Sequence, residues 1–212
     1  MTRFHFAYAA VLTLAAATGA AAQSRSWEID ALAGGGPSVV TGSLGGVPDR
    51  QLLITGLSVT RKFLRWRRFS ASYFGEIMPF VVATKVPKLL GSWFYNAAHT
   101  DSTFFVFPYG DGPDAGAGLA PVGLRLGFQV SSQVAAFTEA SSGGLAFVRA
   151  MPQPEARSLN FLVSAGAGLR LGGRDHRSYI VAYRFTHLSN ANTAAKNPGF
   201  NAHVFYLGIT LR

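Results

Sequence analysis

The sequence predicts an all-β chain, an eight-stranded antiparallel transmembrane β-barrel of the outer membrane. Three observations lead there. Apolar residues alternate at period two in eight separate segments, the chain opens on a secretion signal, and the links between segments alternate between short and long. Composition agrees: among 212 residues, 24 are glycine, 13% are aromatic and only 14% are charged. That is too apolar for disorder and too broken by glycine for a helical bundle. With no linker composition in view, one domain is expected.

The amino terminus supplies the compartment. Met1 to Arg3 is a short basic lead, Phe6 to Ala17 an apolar run, and Ala20-Ala21-Ala22 a small-residue cleavage pattern before Gln23. Residues 1–22 are therefore expected to be a removed signal peptide and residues 23–212 the barrel; the apolar run is short for a membrane-spanning helix. The formal charge of +9 and the pI near 10.4 suit an anionic partner, and for an exported chain lipid phosphates come before nucleic acid. Basic residues crowd turns such as Leu64-Arg65-Trp66-Arg67-Arg68, where solvation is the plainer account. Cysteine is absent, which excludes disulfides, thiolate catalysis and cysteine metal sites.

The strands follow in order. Trp27, Ile29, Ala31 and Ala33 alternate with Glu28, Asp30 and Leu32. Leu53, Leu57 and Val59 oppose Ile54, Gly56, Ser58 and Thr60 in a second strand over 51–62. A third, over 70–82, puts Phe74, Met78 and Phe80 on one face with Glu76. The fourth is the cleanest, with Val122, Leu124, Leu126, Phe128 and Val130 against Gly123, Arg125, Gly127 and Gln129. A fifth, over 133–149, is expected to break at Ser141-Ser142-Gly143-Gly144 as a bulge or bend. Leu159, Phe161, Val163 and Leu169 mark the sixth, Tyr179, Val181, Tyr183 and Phe185 the seventh, and Phe205, Leu207, Ile209 and Leu211 the eighth.

Alternation alone does not say which face is inside. A lipocalin-like barrel turns its bulky face inward, whereas an outer-membrane barrel turns it to lipid and keeps small and polar residues in the lumen. The signal, the strand lengths and the aromatics near strand ends (Trp27, Tyr179, Phe205) favour the membrane. Short links at 64–69, near Ser131 and at 172–176 alternate with longer ones at 34–50, 83–118, 151–158 and 188–200, as periplasmic turns and outer loops do. The loop 83–118 carries Trp93-Phe94-Tyr95 and Phe104 to Tyr109, which reads as a mini-core or extra hairpin, or as a surface that dips into the outer leaflet.

The chemistry concentrates at Tyr183-Arg184-Phe185-Thr186-His187-Leu188-Ser189-Asn190 and Asn197-Pro198-Gly199-Phe200-Asn201. His187 and Ser189 stand at i and i+2, hence on one strand face. A neutral imidazole beside a hydroxyl can serve as its general base and make it a nucleophile towards an ester carbonyl. A bare H-x-S is common, and ordinary strand-end polarity accounts for most such pairs.

At these residues the chain resembles the lipid A 3-O-deacylase family, the PagL-like acyl hydrolases of Gram-negative outer membranes. The likeness rests on Tyr183-Arg184-Phe185, His187, Ser189-Asn190-Ala191, the Asn197-Pro198-Gly199 turn and the closing strand. It implies an eight-stranded barrel in which serine and histidine, helped by glutamate, hydrolyse the acyl ester at the 3 position of lipid A. Carried over, Ser189 is the nucleophile, His187 the base and Asn190 the oxyanion helper. Asn201 stands where the family has its glutamate. An asparagine can orient a histidine but cannot stabilise the imidazolium with a charge. An active Ser-His-Asn variant, a weak dyad and an inactive barrel are thus all open, and a glutamate restored at 201 should revive a dormant triad. Glu139 and Glu155 are further carboxylates that the sequence does not place.

The expected function is that of an outer-membrane esterase acting on lipid A or a related glycolipid; the alternative is a structural or lipid-binding barrel with little or no catalysis. The chain's end at Leu211-Arg212, without the terminal aromatic such barrels usually carry, speaks for the alternative. The expected partner is lipopolysaccharide of the outer leaflet, with a homodimer allowed and no nucleic acid. No cofactor is expected, and His99, His176 and His203 lack metal-ligand spacing with carboxylates.

Overall fold

The computed structural model describes residues 27–211 apart from 86–87, 96–99, 110–112, 154 and 173–176. The expected signal peptide, His99 and His176 lie outside the described residues.

All eight expected strands form: β1 (Trp27–Val39), β2 (Arg50–Trp66), β3 (Phe69–Lys85), β6 (Asp114–Gln129), β7 (Val134–Met151), β8 (Arg157–Leu171), β9 (Tyr179–Ser189) and β10 (Phe200–Thr210). They close into one antiparallel barrel in the order β1-β10-β9-β8-β7-β6-β3-β2. The loop after β3 folds as a separate hairpin, β4 (Lys88–Tyr95) with β5 (Ser102–Tyr109), so β3 pairs directly with β6 across it. The β2–β3 and β6–β7 turns and both described chain ends lie at one rim, and the β1–β2, β7–β8 and β9–β10 links at the other; the expected alternation of short and long fails at one place, the β7–β8 link (152–156) being shorter than the β8–β9 link (172–178).

Bulky residues face outward as expected. Val122, Leu124, Leu126, Leu159, Phe161 and Val163 are all exposed, the face an outer-membrane barrel gives to lipid. Trp27, Tyr179 and Phe205 are exposed with them.

The interior is less uniformly small and polar than expected. Its turn half holds an ionic lattice, in which Arg184 bridges Glu76 and Glu139 at 2.9 Å each and Arg125 pairs with Glu139 at 2.9 Å. Tyr206 Oη donates to Glu139 at 2.7 Å. The loop half holds an apolar core built by Leu52, Met78, Val81, Leu145, Phe200 and Val204. A barrel of this size has just enough interior for side chains, so the lumen is filled rather than open.

Two strand details differ from expectation. Phe80 does not share the inward face of Phe74, Glu76 and Met78; it is 70% exposed. A register shift between Met78 and Val81 resets the alternation at Pro79, which has no N–H to give a ladder. The fifth strand, β7, runs unbroken through Ser141 to Gly144, because the irregularity sits on its partner β6 between Leu119 and Val122, at Pro121.

Candidate functional site

The motif residues lie at the loop rim, where β9 ends and β10 begins. Tyr183, Phe185, His187 and Ser189 point outward in turn while Arg184, Thr186, Leu188 and Asn190 are buried inward. Leu188 and Phe200, paired across the strands, seat this rim on the apolar core. The chain then reverses through Ala191 and Asn192, both left-handed at φ 52° and 61°.

His187 and Asn201 are direct cross-strand partners, and Nδ1 of His187 lies 2.6 Å from Oδ1 of Asn201. By alternation Asn201 points outward with His187, yet it is fully buried. The β1–β2 loop folds over it. Asn201 Nδ2 donates to Gly45 O at 2.7 Å and to Thr41 Oγ1 at 2.9 Å. The loop is tied in turn to the β9–β10 connection by Gly46 N–H donating to Pro198 O at 2.8 Å.

Gly45 and Gly199 make this closure possible. Both hold positive φ, 66° and 72°. A Cβ on Gly45 would meet Pro198 O at 2.2 Å, and one on Gly199 would meet Leu44 O at 2.5 Å and His187 Cε1 at 3.4 Å.

Ser189 is not hydrogen-bonded to His187. Its Oγ donates to Asn197 Oδ1 at 3.2 Å and receives Asn197 Nδ2 at 3.0 Å and the Ala191 N–H at 3.1 Å. Such bonds are often unformed without substrate and tighten when it binds. Asn190 sits on the opposite face from the serine. Its Nδ2 donates to Lys196 O at 2.8 Å, its N–H donates to Asn197 Oδ1 at 3.1 Å, and its side-chain oxygen is buried without a partner. The donors beside the hydroxyl are therefore Asn197 Nδ2 and the Ala191 N–H. The turn Asn197-Pro198-Gly199 stood out in the sequence, but its asparagine carried no assigned role; Thr41 gave no local signal.

Neither spare glutamate partners His187. Glu139 is inside the barrel with Arg125, Arg184 and Tyr206, and the backbone oxygen of Glu155 accepts the Lys196 N–H at 3.3 Å. His203 Nδ1 pairs with the Tyr183 hydroxyl at 2.7 Å. Among the described residues no cluster of acidic and histidine side chains could hold a metal ion.

Comparison with known proteins bears on this rim directly. In solved structures, the crystal structure of the outer membrane enzyme PagL aligns with a TM-score of 0.57 at 18% identity, covering 84% of this chain and 97% of that one. Neisserial surface protein A aligns at 0.46 with 10% identity, over 89% of this chain and 98% of its own. Ail, the attachment invasion locus protein of Yersinia pestis, aligns at 0.42 with 13% identity over the same shares, 89% and 98%. No curated protein matches the chain significantly. The family model of lipid A 3-O-deacylase (PagL) matches residues 82–210, which takes in β6 to β10 and every motif residue at the rim. On that match, over more than half of its length, the chain belongs to the lipid A 3-O-deacylase (PagL) family.

Proposed function

We propose that this protein is an outer-membrane esterase that removes an ester-linked acyl chain from lipid A or a related glycolipid. The observation that carries the reading is the contact of His187 Nδ1 with Asn201 Oδ1, beside Ser189 on the same outward face. With Nδ1–H donated to Asn201, Nε2 is the nitrogen left to accept a proton from Ser189.

Ser189 Oγ attacks the ester carbonyl as His187 Nε2 takes its proton. The negative charge that develops on the carbonyl oxygen is met by Asn197 Nδ2 and the Ala191 N–H, the donors already grouped at Oγ. Collapse expels the sugar hydroxyl, protonated by His187, and leaves an acyl-serine. Water, activated by the same imidazole, then releases the fatty acid and restores the hydroxyl. Because the dyad faces outward, an acyl chain reaches it sideways from the outer leaflet. Exposed Lys196, on the same loop, suits the substrate's phosphates. Ser189, His187 and Asn201 come from one chain, so a homodimer is compatible with the mechanism and not required by it.

The competing reading, a lipid-binding barrel without turnover, draws on Ser189 Oγ being held by Asn197 rather than His187. Incubating the detergent-solubilised protein with lipopolysaccharide separates the two. The esterase releases 3-hydroxy fatty acid and Ser189→Ala abolishes release; release undiminished in the variant would sink the mechanism.

A further inference from the structure

Asn201 stands where related enzymes carry glutamate, and it is natural to see it as a lost acid. Its surroundings say otherwise. An amide has one end that accepts and one that donates, and its orientation is fixed by its neighbours. Here the donating end faces Gly45 O at 2.7 Å and Thr41 Oγ1 at 2.9 Å, with Val39 O at 3.5 Å. The two carbonyl oxygens can only accept, so the nitrogen must point at them and the oxygen at His187.

A carboxylate in the same place would press an oxygen against the carbonyls of Gly45 and Val39 in a fully buried position, and of these three neighbours only the Thr41 hydroxyl could turn to donate. Glycine at 46 leaves room for the amide: a Cβ built there would lie 2.9 Å from Asn201 Nδ2. The loop geometry is itself tied, with Thr41 N–H donating to Gly45 O at 2.8 Å and Leu44 N–H to Thr41 O at 2.9 Å. Gly45 O thus receives both the Thr41 N–H and the Asn201 amide.

We propose that Thr41 is a positioning residue for His187: with Gly45 it holds the Asn201 amide so that its oxygen fixes the Nδ1–H form, and the site is a built Ser-His-Asn arrangement rather than a triad that has lost its acid. The inference rests on the esterase reading of Ser189 for its kinetic consequences, but not for the imidazole form. A purely structural threonine would alter stability without selecting one histidine tautomer.

The test uses the full-length protein in detergent micelles, with fatty-acid release from lipopolysaccharide and nitrogen-15 NMR of labelled imidazoles, His187 being assigned by its loss in His187→Asn. Thr41→Val is expected to lower kcat about five- to tenfold at unchanged KM, the worth of one hydrogen bond. Asn201→Ala is expected to cost about 10²-fold through lost orientation. Since Thr41 acts through Asn201, adding Thr41→Val to Asn201→Ala costs nothing more. Asn201→Glu falls below wild type. In the spectrum, wild-type His187 is the Nδ1–H form, and Thr41→Val mixes in the Nε2–H form.

A gain of turnover in Asn201→Glu, multiplying losses in the double variant, or a wild-type Nε2–H imidazole would overturn the proposal. Should Asn201→Glu fail to fold, shown by loss of heat-modifiable gel mobility, the double variant decides. If wild type releases no fatty acid, the esterase reading fails and the imidazole spectra alone decide this one.

Discussion

His187 and Asn201 face each other across β9 and β10 as a direct cross-strand pair, 2.6 Å apart from Nδ1 to Oδ1. One is half-buried and the other fully buried, although both point out of the barrel. The asymmetry comes from residues 41–46, which cover the asparagine and leave the histidine with an outward-facing side. On the proposed mechanism, the orienting amide is thereby shielded from water and lipid while the base stays within reach of a substrate.

Asn197 donates to Ser189 Oγ at 3.0 Å, and in the proposed mechanism the oxyanion develops on the carbonyl that this oxygen attacks. Asn197→Ala is expected to lower kcat about 10²- to 10³-fold, the usual cost of one oxyanion donor. Asn190→Ala should reduce activity less per molecule folded, because its amide is spent on Lys196 O. Steady-state release of fatty acid by the two variants checks the order.

Gly199→Ala should injure the site while sparing the barrel. The residue sits at φ 72° and a Cβ would meet Leu44 O at 2.5 Å. Left-handed backbone costs an alanine about 1–2 kcal/mol, and relief moves the β1–β2 loop off Asn201. Turnover is expected to fall at least about tenfold, as small displacements at a reacting centre do. The temperature at which the folded gel band is lost should change little.

Glu139→Ala should do the reverse. Glu139 takes Arg125 and Arg184 at 2.9 Å and the Tyr206 hydroxyl at 2.7 Å, all inside the barrel and away from the rim. Breaking a buried ion pair costs about 3–5 kcal/mol where it strands a charge, and the cost here sits at the lower end because Arg184 keeps Glu76 at 2.9 Å and Arg125 keeps Asp30 at 3.4 Å. Denaturant unfolding monitored by heat-modifiable mobility should shift to lower denaturant, with fatty-acid release preserved at temperatures where the barrel is intact.

Replacing the β4–β5 hairpin, residues 88–109, by a short turn should leave the barrel closed. β3 and β6 already pair from Phe69↔Phe128 to Ala83↔Asp114, so no ladder bond of the barrel passes through the hairpin. Folded gel mobility of the shortened chain is the check; a chain that no longer folds would show that the hairpin is needed for closure.

Much of this protein is legible in one dimension. Period-two alternation placed all eight barrel strands and divided each into two faces, since a strand between lipid and a packed lumen must change character at every residue, while the choice of the lipid face drew on the leader, strand lengths and links. It also put His187 and Ser189 on one face. What it could not carry was anything made by residues distant in the chain. Phe80 turned outward because Pro79 and the pairing with β6 shifted the register, and β7 stayed whole because its partner took the bulge. Alternation puts Asn201 on the outer face, open to lipid; only the closed barrel, which brings Thr41 and Gly45 from the other end of the chain onto it, makes it a buried amide aimed at His187. Strand identity and facing are local consequences of side-chain order, whereas the orientation of one amide depends on which carbonyls the closed sheet delivers to it.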